Sequence, residues 1–278
     1  MPDAAKAVAA TTERYYDSDD ADAFYERVWG GEDIHIGLYD AADESIRAAS
    51  RKTVVAMADR LAPLAPNARV LDLGAGYGGS ARHLVDRFGC HVTCLNLSER
   101  QNRRNAALCR EAGMESDVDV LHGDFENLRF PDASFDVAWS QDAFLHSGRR
   151  RRVVEEAARV LAPGGRLIFT DPMQADDCPP GVLRRVYERI HLDSMGSFAF
   201  YRDVCRDAGL EEVAILDCTG QLRTHYARVR EELLRQRPAL AGDVGTAFID
   251  QMVAGLSSWV DAADRGWLSW GILHFRRP

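Results

Sequence analysis

VLDLGAGYGGS, residues 70–80, decides the fold. Its glycines Gly74, Gly76 and Gly79 stand in the G-x-G-x-x-G spacing that cradles a nucleotide, and Asp72 lies two positions before the first of them. The apolar run RVLDLG (69–74), stopped by glycine, reads as a buried parallel strand, and residues 79–88 continue as a helix. Glycine allows the tight turn and a close backbone approach, while the following helix N-terminus favours a negatively charged group. Taken alone, the spacing leans slightly toward a hydride-carrying dinucleotide. The residues around it must decide between cofactors.

Outward from the loop, a βα rhythm continues. CHVTCLNLS (90–98) is a second strand, and Ser98 caps a helix from Glu99 to about Ala112. DVDVLHGDF (117–125) and SFDVAWSQDAF (134–144) give strands three and four. Val153, Val154, Ala157, Val160 and Leu161 have helical spacing, APGG closes that helix, and RLIFTDP (166–172) is strand five. Strands alternating with helices imply a parallel sheet covered on both faces. After Asp171 the rhythm breaks into a mostly helical stretch (176–209). Two more strands follow, EEVAILDC (211–218) and WLSWGILHF (267–275), with helices near 225–237 and 244–263. A late strand inserted antiparallel at the sheet edge is open at this point, since periodicity does not show direction. The expected architecture is α/β, a Rossmann-like parallel sheet with helices on both faces and a helical cap and insertion. Residues 1–68 form a mainly helical cap, 69–175 the nucleotide-binding core, 176–209 a helical insertion at the acceptor site, and 210–278 complete the sheet, all within one compact domain.

The totals narrow the partners. At 278 residues and 46% hydrophobic, the chain can bury a sizeable core. Its 34 Lys and Arg against 43 Asp and Glu leave a charge of −9, which argues against nucleic acid. The densest basic run, Arg149 to Arg152, begins an amphipathic helix and reads as a solvated face. Six cysteines without a C-x-x-C pair signal neither a zinc site nor a redox motif, so no metal is expected. No secretory pattern opens the sequence, and no apolar run approaches the ~20 residues that span a bilayer. A cytoplasmic protein, monomer or homodimer, is expected.

Four residues near the loop choose the cofactor. The dinucleotide fingerprint places an acid at the end of strand two, where this chain has Asn96. Asp124, after strand three, can accept from an exocyclic amine such as adenine N6, and Phe125 offers an apolar face and a backbone N–H to the ring. Asp72 can meet an ammonium group, which a pyrophosphate lacks. An adenosine at one end and a methionine zwitterion at the other describe S-adenosylmethionine. The plainer readings remain beside this one: Asp124 as a helix cap, Asp72 as a loop hydrogen-bonder, Asn96 and Ser98 as a turn and a cap.

LDLGAGYGGSARHL, CLNLS, GDFENLRFPDASFD, WSQDAFLHS and RVLAPGG together resemble a class I S-adenosylmethionine-dependent methyltransferase. The opening YYDSDDADAFYERVWGGEDIHIGLY is more specific. With SQDAFLHS, TDPM, DSMGSFAFYR, HYARVREEL and WGILHFRR it resembles the sarcosine/dimethylglycine N-methyltransferases of glycine betaine synthesis, over roughly residues 14–277. A more distant likeness runs to phosphoethanolamine methyltransferases and, in the opening, to cyclopropane fatty acid synthases. The resemblance implies stepwise N-methylation of sarcosine and dimethylglycine with S-adenosylmethionine as cofactor. It adds Ile34, His35, Leu97, Gln101 and Gln141 to the cofactor contacts, and Tyr25 and Tyr16 (or Tyr15) as tyrosines that cover cofactor and substrate. It also implies that His146, four residues after Asp142, pairs with a cap tyrosine as general base or latch.

Methyl transfer from a sulfonium to an amine asks for position, a deprotonated amine and a dry site rather than a strong nucleophile. A neutral imidazole at His146 is a fitting proton acceptor. The cation that forms on nitrogen calls for aromatic faces, worth ~0.5–2 kcal/mol each, and Trp29, before Gly30 and Gly31, is the best placed of them. Phe198, Phe200 and Tyr201 in the insertion are others. Asp142, Met173, Tyr201 and Arg202 complete the expected acceptor set, with Arg184, Arg185 and Arg189 as further carboxylate partners. Three alternatives stand beside this reading: a C- or O-methyltransferase of another small acceptor, a non-catalytic S-adenosylmethionine-binding protein, and an NAD-dependent oxidoreductase. Asn96 and the Asp124 turn weigh against the last.

Overall fold

A computed structural model of the chain describes residues 17, 24–29, 31–189, 192, 194–240 and 244–278. Tyr15 and Tyr16 lie outside the described residues. Seven strands form one sheet: β1 (Arg69–Leu73), β2 (His91–Asn96), β3 (Val118–His122), β4 (Phe135–Gln141), β5 (Leu161–Gln174), β6 (Glu211–Asp217) and β7 (Leu268–Arg276). Their order is β3-β2-β1-β4-β5-β7-β6. The first five are parallel, and β7 enters antiparallel between β5 and β6. The late strand is therefore internal, and β6 takes the edge.

The pleat sorts side chains onto two faces. Val70, Val92, Val137, Ile168 and Ile272 pack with Val54 and Met57 of α1 (Ile46–Leu61) and with Leu84 of α2 (Gly79–Phe88). Their chain neighbours Leu71, Ala138, Phe169 and Leu273 pack on the other face with Val153 and Ala157 of α4 (Arg150–Val160) and Val204 of α6 (Phe198–Asp207). Burial on both sides explains the near-continuous apolar strands. A further core joins Phe24, Trp29 and Trp270 to α5 (Arg184–Arg189), α7 (Thr219–Leu240) and α8 (Thr246–Asp264).

Local chemistry sets several boundaries. Ser98 Oγ accepts from Gln101 N at 3.1 Å and starts α3 (Glu99–Glu111). Gly89, at φ 65°, ends α2 in the left-handed conformation. Strand β5 begins five residues earlier than RLIFTDP because Leu161 already pairs with Phe135; the APGG turn then bulges out before Arg166 rejoins Val137. Before residue 69, the described helical segments are the π-helical turn Tyr25–Trp29 and α1, while residues 31–45 run irregularly. The stretch 176–209 contributes α5 and α6, and among the described residues between them Gly196 O accepts from Gln174 N at 2.9 Å.

Within the run Arg149–Arg152, Arg150 alone departs from the expected solvated face, while Arg149, Arg151 and Arg152 stay about half exposed and ion-paired. Arg150 is 7% exposed and bonded to Ser194 and Leu145, Arg149 Nε meets Glu126 at 2.8 Å, and Arg151 and Arg152 pair with Asp207 and Glu156. No helix among the described residues is long and apolar enough to cross a membrane.

Candidate active site

The carboxyl ends of β1, β2, β3 and β4 open into a two-lobed cleft. This is where ligands bind in open α/β sheets. The larger lobe includes Asn96, Leu97, Gln101, Asp124, Phe125, Asp142 and His146. The smaller lobe includes Glu32, His35, Asp72 and Ser80. Ile34, Gly74, Gly76 and Gln141 line both.

The glycine loop is shaped for close approach. Gly74 has φ 81°, its N–H donates to Leu95 O at 2.8 Å, and a Cβ there would stand 2.5 Å from the Ala143 methyl. At Gly76, φ is 54°, and a Cβ would meet Ile34 at 3.5 Å. A side chain at Gly74 would clash with the loop after β4, and a Cβ at Gly76 would rest in contact with Ile34, which roofs the cleft.

Three buried polar atoms of the small lobe have no hydrogen-bond partner among the described residues: His35 Nε2, Asp72 Oδ2 and Gln141 Nε2. Gln141 Oε1 is taken by Ser80 Oγ and by Trp139 Nε1 at 3.2 Å, which leaves its amide donor for a ligand. Asp72 is 3% exposed, and burial lifts its carboxyl to about 7. An acceptor and a donor side by side fit the ammonium and carboxylate of a methionine group.

In the large lobe, Asn96 Nδ2 donates to Gln101 Oε1 at 2.8 Å, leaving the Asn96 side-chain oxygen for a ribose hydroxyl. Asp124 Oδ1 accepts from Glu126 N at 2.8 Å, the turn-capping role weighed above, while its second oxygen remains for an adenine amine. Burial raises this carboxyl too. These residues fit S-adenosylmethionine from end to end.

Asp142 and His146 are brought together at the far wall. Asp142 sits at φ 50°, a strained position for a non-glycine residue, with its N–H on Thr170 O at 2.9 Å. Its Oδ2 accepts from Ile36 N at 2.6 Å and its Oδ1 from Trp270 Nε1 at 2.8 Å. Burial raises its carboxyl against the pull of these donors and of His35. His146 ends the short turn Phe144–His146 and faces the cleft.

Other expected residues lie elsewhere. Trp29 is 5% exposed within the aromatic cluster, where it meets Phe24, Tyr25, His225 and Tyr226 edge-on or tilted and donates Nε1 to His35 O at 3.4 Å. Tyr25 packs in the same cluster, and Met173 is wholly buried in the sheet core. Tyr201 turns its hydroxyl to Asp171 Oδ2 at 2.6 Å rather than to the cleft. Arg202 is half exposed and paired with Glu212 at 3.0 Å, and Arg184 is exposed beside Glu188. The structure thus separates Trp29, Tyr25, Met173, Tyr201 and Arg202 from the cleft lining.

Several lining residues escaped the sequence reading, among them Glu126 and Ser147. Glu126 and Ser147 join the loops after β3 and β4: Glu126 Oε1 accepts from Ser147 Oγ at 2.6 Å, and Oε2 from Arg149 Nε at 2.8 Å. The position of Glu126, two residues after Asp124, was the available signal.

The methyltransferase-domain family model matches residues 71–169. The sarcosine/dimethylglycine N-methyltransferase of Halorhodospira halochloris is 51% identical over 96% of each chain, and that of Aphanothece halophytica 49% over 99% of each. The crystal structure of a candidate sarcosine dimethylglycine methyltransferase from Galdieria sulphuraria superposes with a TM-score of 0.90 at 41% identity, covering 95% of this chain and 98% of that one. With a donor cleft of this shape and relatives this similar over their full length, the chain belongs to the sarcosine/dimethylglycine N-methyltransferase family of S-adenosylmethionine-dependent enzymes.

Proposed function

We propose that the chain methylates the amine nitrogen of sarcosine and dimethylglycine to give glycine betaine. The observation that carries this reading is Asp142 and His146 facing one cleft beside the glycine loop. The donor, held between Asp72 and Asp124, supplies a methyl group already activated on a cationic sulfur. The remaining work falls to this chain's own residues. Asp142, pinned by Trp270 and Ile36, is a buried acceptor facing the incoming amine and stabilises the positive charge that grows on its nitrogen. His146 takes the amine proton, or keeps the amine neutral, at the mouth of the cleft. The segment carrying Ile34 and His35 roofs the donor and excludes water. Both acceptors are free small molecules, and the reading places the chain in the cytoplasm as a monomer or homodimer.

Initial rates with labelled donor and glycine, sarcosine, dimethylglycine and simple phenols test it. Sarcosine and dimethylglycine should be turned over and glycine nearly inert; glycine or a phenol as best acceptor overturns the assignment. His146→Ala should lower kcat toward the low end of the ~10²–10⁴-fold range for general bases, because solvent can also deprotonate an amine. A kcat within twofold of wild type would remove His146 from the chemistry.

A further inference from the structure

Two sequence stretches, TDPM (170–173) and DSMGSFAFYR (193–202), place none of their described residues in the cleft lining, yet Asp171, Ser194 and Tyr201 converge on the segment that carries His146. Asp171 is fully buried and accepts from Leu145 N at 2.9 Å through Oδ1. Its Oδ2 accepts from the hydroxyl of Tyr201, also fully buried, at 2.6 Å. One peptide further on, Arg150 donates to Leu145 O, the carbonyl of the Leu145–His146 peptide, at 3.1 Å and holds Ser194 by both Oγ and carbonyl. Leu145 thus has its N–H and its carbonyl gripped by a buried carboxyl and a buried guanidinium. The next residue is His146.

We propose that Asp171, Tyr201 and Arg150 are positioning residues that act through the Leu145 backbone to fix the imidazole of His146 in the cleft. The inference rests on the proposed role of His146 and adds the frame that sets it. Three observations support a positioning role over simple stability. Buried charges cost several kcal/mol each before pairing, and apolar residues of similar size usually serve stability as well or better. Arg150 opens α4, the positive end of the helix dipole, where a cation is disfavoured. Tyr201 is itself held tightly: its ring meets Phe169 edge-on at 4.9 Å, and any Cβ on Gly196 would press on that ring at 2.7 Å. The hydroxyl therefore reaches Asp171 from a fixed direction. A catalytic group must be held within about 0.5 Å of its productive place, and packed neighbours with hydrogen bonds provide that.

The test is a double-mutant cycle with Tyr201→Phe and His146→Ala. Tyr201→Phe keeps the ring and removes one donor from Asp171. In the wild-type background it should lower kcat roughly ten- to hundredfold, the effect of a small misplacement, with donor affinity by calorimetry within twofold. In the His146→Ala background it should change kcat less than twofold, since the group it positions is gone. Equal losses in both backgrounds overturn the proposal, as does an unchanged kcat in the wild-type background. A loss matched by an equal loss of donor affinity also overturns it, because that marks general loosening. The His146→Ala single variant reports separately on the role of His146. If Tyr201→Phe does not fold, Arg150→Lys carries the same cycle, since it keeps the charge and loses the forked contact to Leu145 and Ser194.

Discussion

The floor and the roof of the cleft are built by different means. The floor, Gly74 to Asp124, lies at the ends of consecutive βα units, and its side-chain bonds at Asn96 and Asp124 run to near neighbours, Gln101 and Glu126. The roof, residues 33–39, is held by distant side chains. Gly37 N donates to His225 Nδ1 188 residues away, Tyr39 and Gln221 exchange bonds across 182, and Ile36 reaches Asp142 across 106. Glycine at 37 is required there, because a Cβ would stand 2.6 Å from the backbone of Ala49. A floor made of local contacts binds the donor through its own residues; a roof tied across the chain transmits changes far from the cleft.

The largest expected effect is on the floor. Asp72→Asn should weaken donor binding roughly ten- to over a hundredfold, the usual cost of a hydrogen bond to a charged group. With Asp72 lifted to about 7, affinity should rise as pH increases through that value and level off above it, because the ammonium needs the ionised carboxylate. Stability of the free protein should move oppositely. A folded pKa above the unfolded ~3.9 means that this contribution is present below ~4 and lost as pH rises to about 7. Calorimetric titrations at pH 6 and 8 check both proteins; the same slope in Asp72→Asn excludes Asp72 as the titrating group.

Asp124→Ala should weaken the donor about tenfold, less than Asp72→Asn, since one Asp124 oxygen already serves the turn at Glu126. Unchanged affinity in a folded variant would leave Asp124 as a cap alone. For the roof, His225→Ala strips the partner from Gly37 N and from the Tyr39 hydroxyl at 3.0 Å. A loss of roughly two- to tenfold in donor affinity is expected, and His225→Asn, whose oxygen can accept in place of Nδ1, should restore most of it. If His225→Ala lowers only the melting temperature, the roof is scaffold and the comparison with the floor collapses. The smallest effect belongs to Arg202→Ala. An exposed ion pair is worth ~0–1 kcal/mol, so acceptor KM should stay within twofold; a larger rise would return Arg202 to the acceptor's carboxylate.

The same contrast explains what could be read from the sequence. The glycine loop, Ser98, Asn96 and Asp124 announce themselves because turn, cap and strand end obey local rules. Strands β1 to β4 accordingly fall within a residue or two of their expected bounds at either end, apart from the loop residues first counted with β3 and β4. Trp29 looked like an acceptor wall because an aromatic residue before two glycines suits a pocket, but packing against α7 decided otherwise. Tyr201 was read as a substrate contact for its residue type; its direction depends on Asp171, thirty residues away in sequence and adjacent in space. The direction of β7 was equally hidden, since alternation is the same whichever way a strand runs.

That strand has a consequence for how the chain is made. Because residues 268–276 lie between β5 and β6, synthesis delivers β6 before the strand it must pair with exists. Throughout that interval the long β5 presents an open edge, and Trp270, the indole that secures Asp142, is missing. Nascent chains are therefore adhesive and inactive until their last strand is in hand, a window in which chaperone capture and stickiness between neighbouring chains compete. Chains stopped at Gly266 should accumulate as aggregates or chaperone complexes in cell-free translation. Soluble, donor-binding fragments of that length would show that β5 protects its own edge.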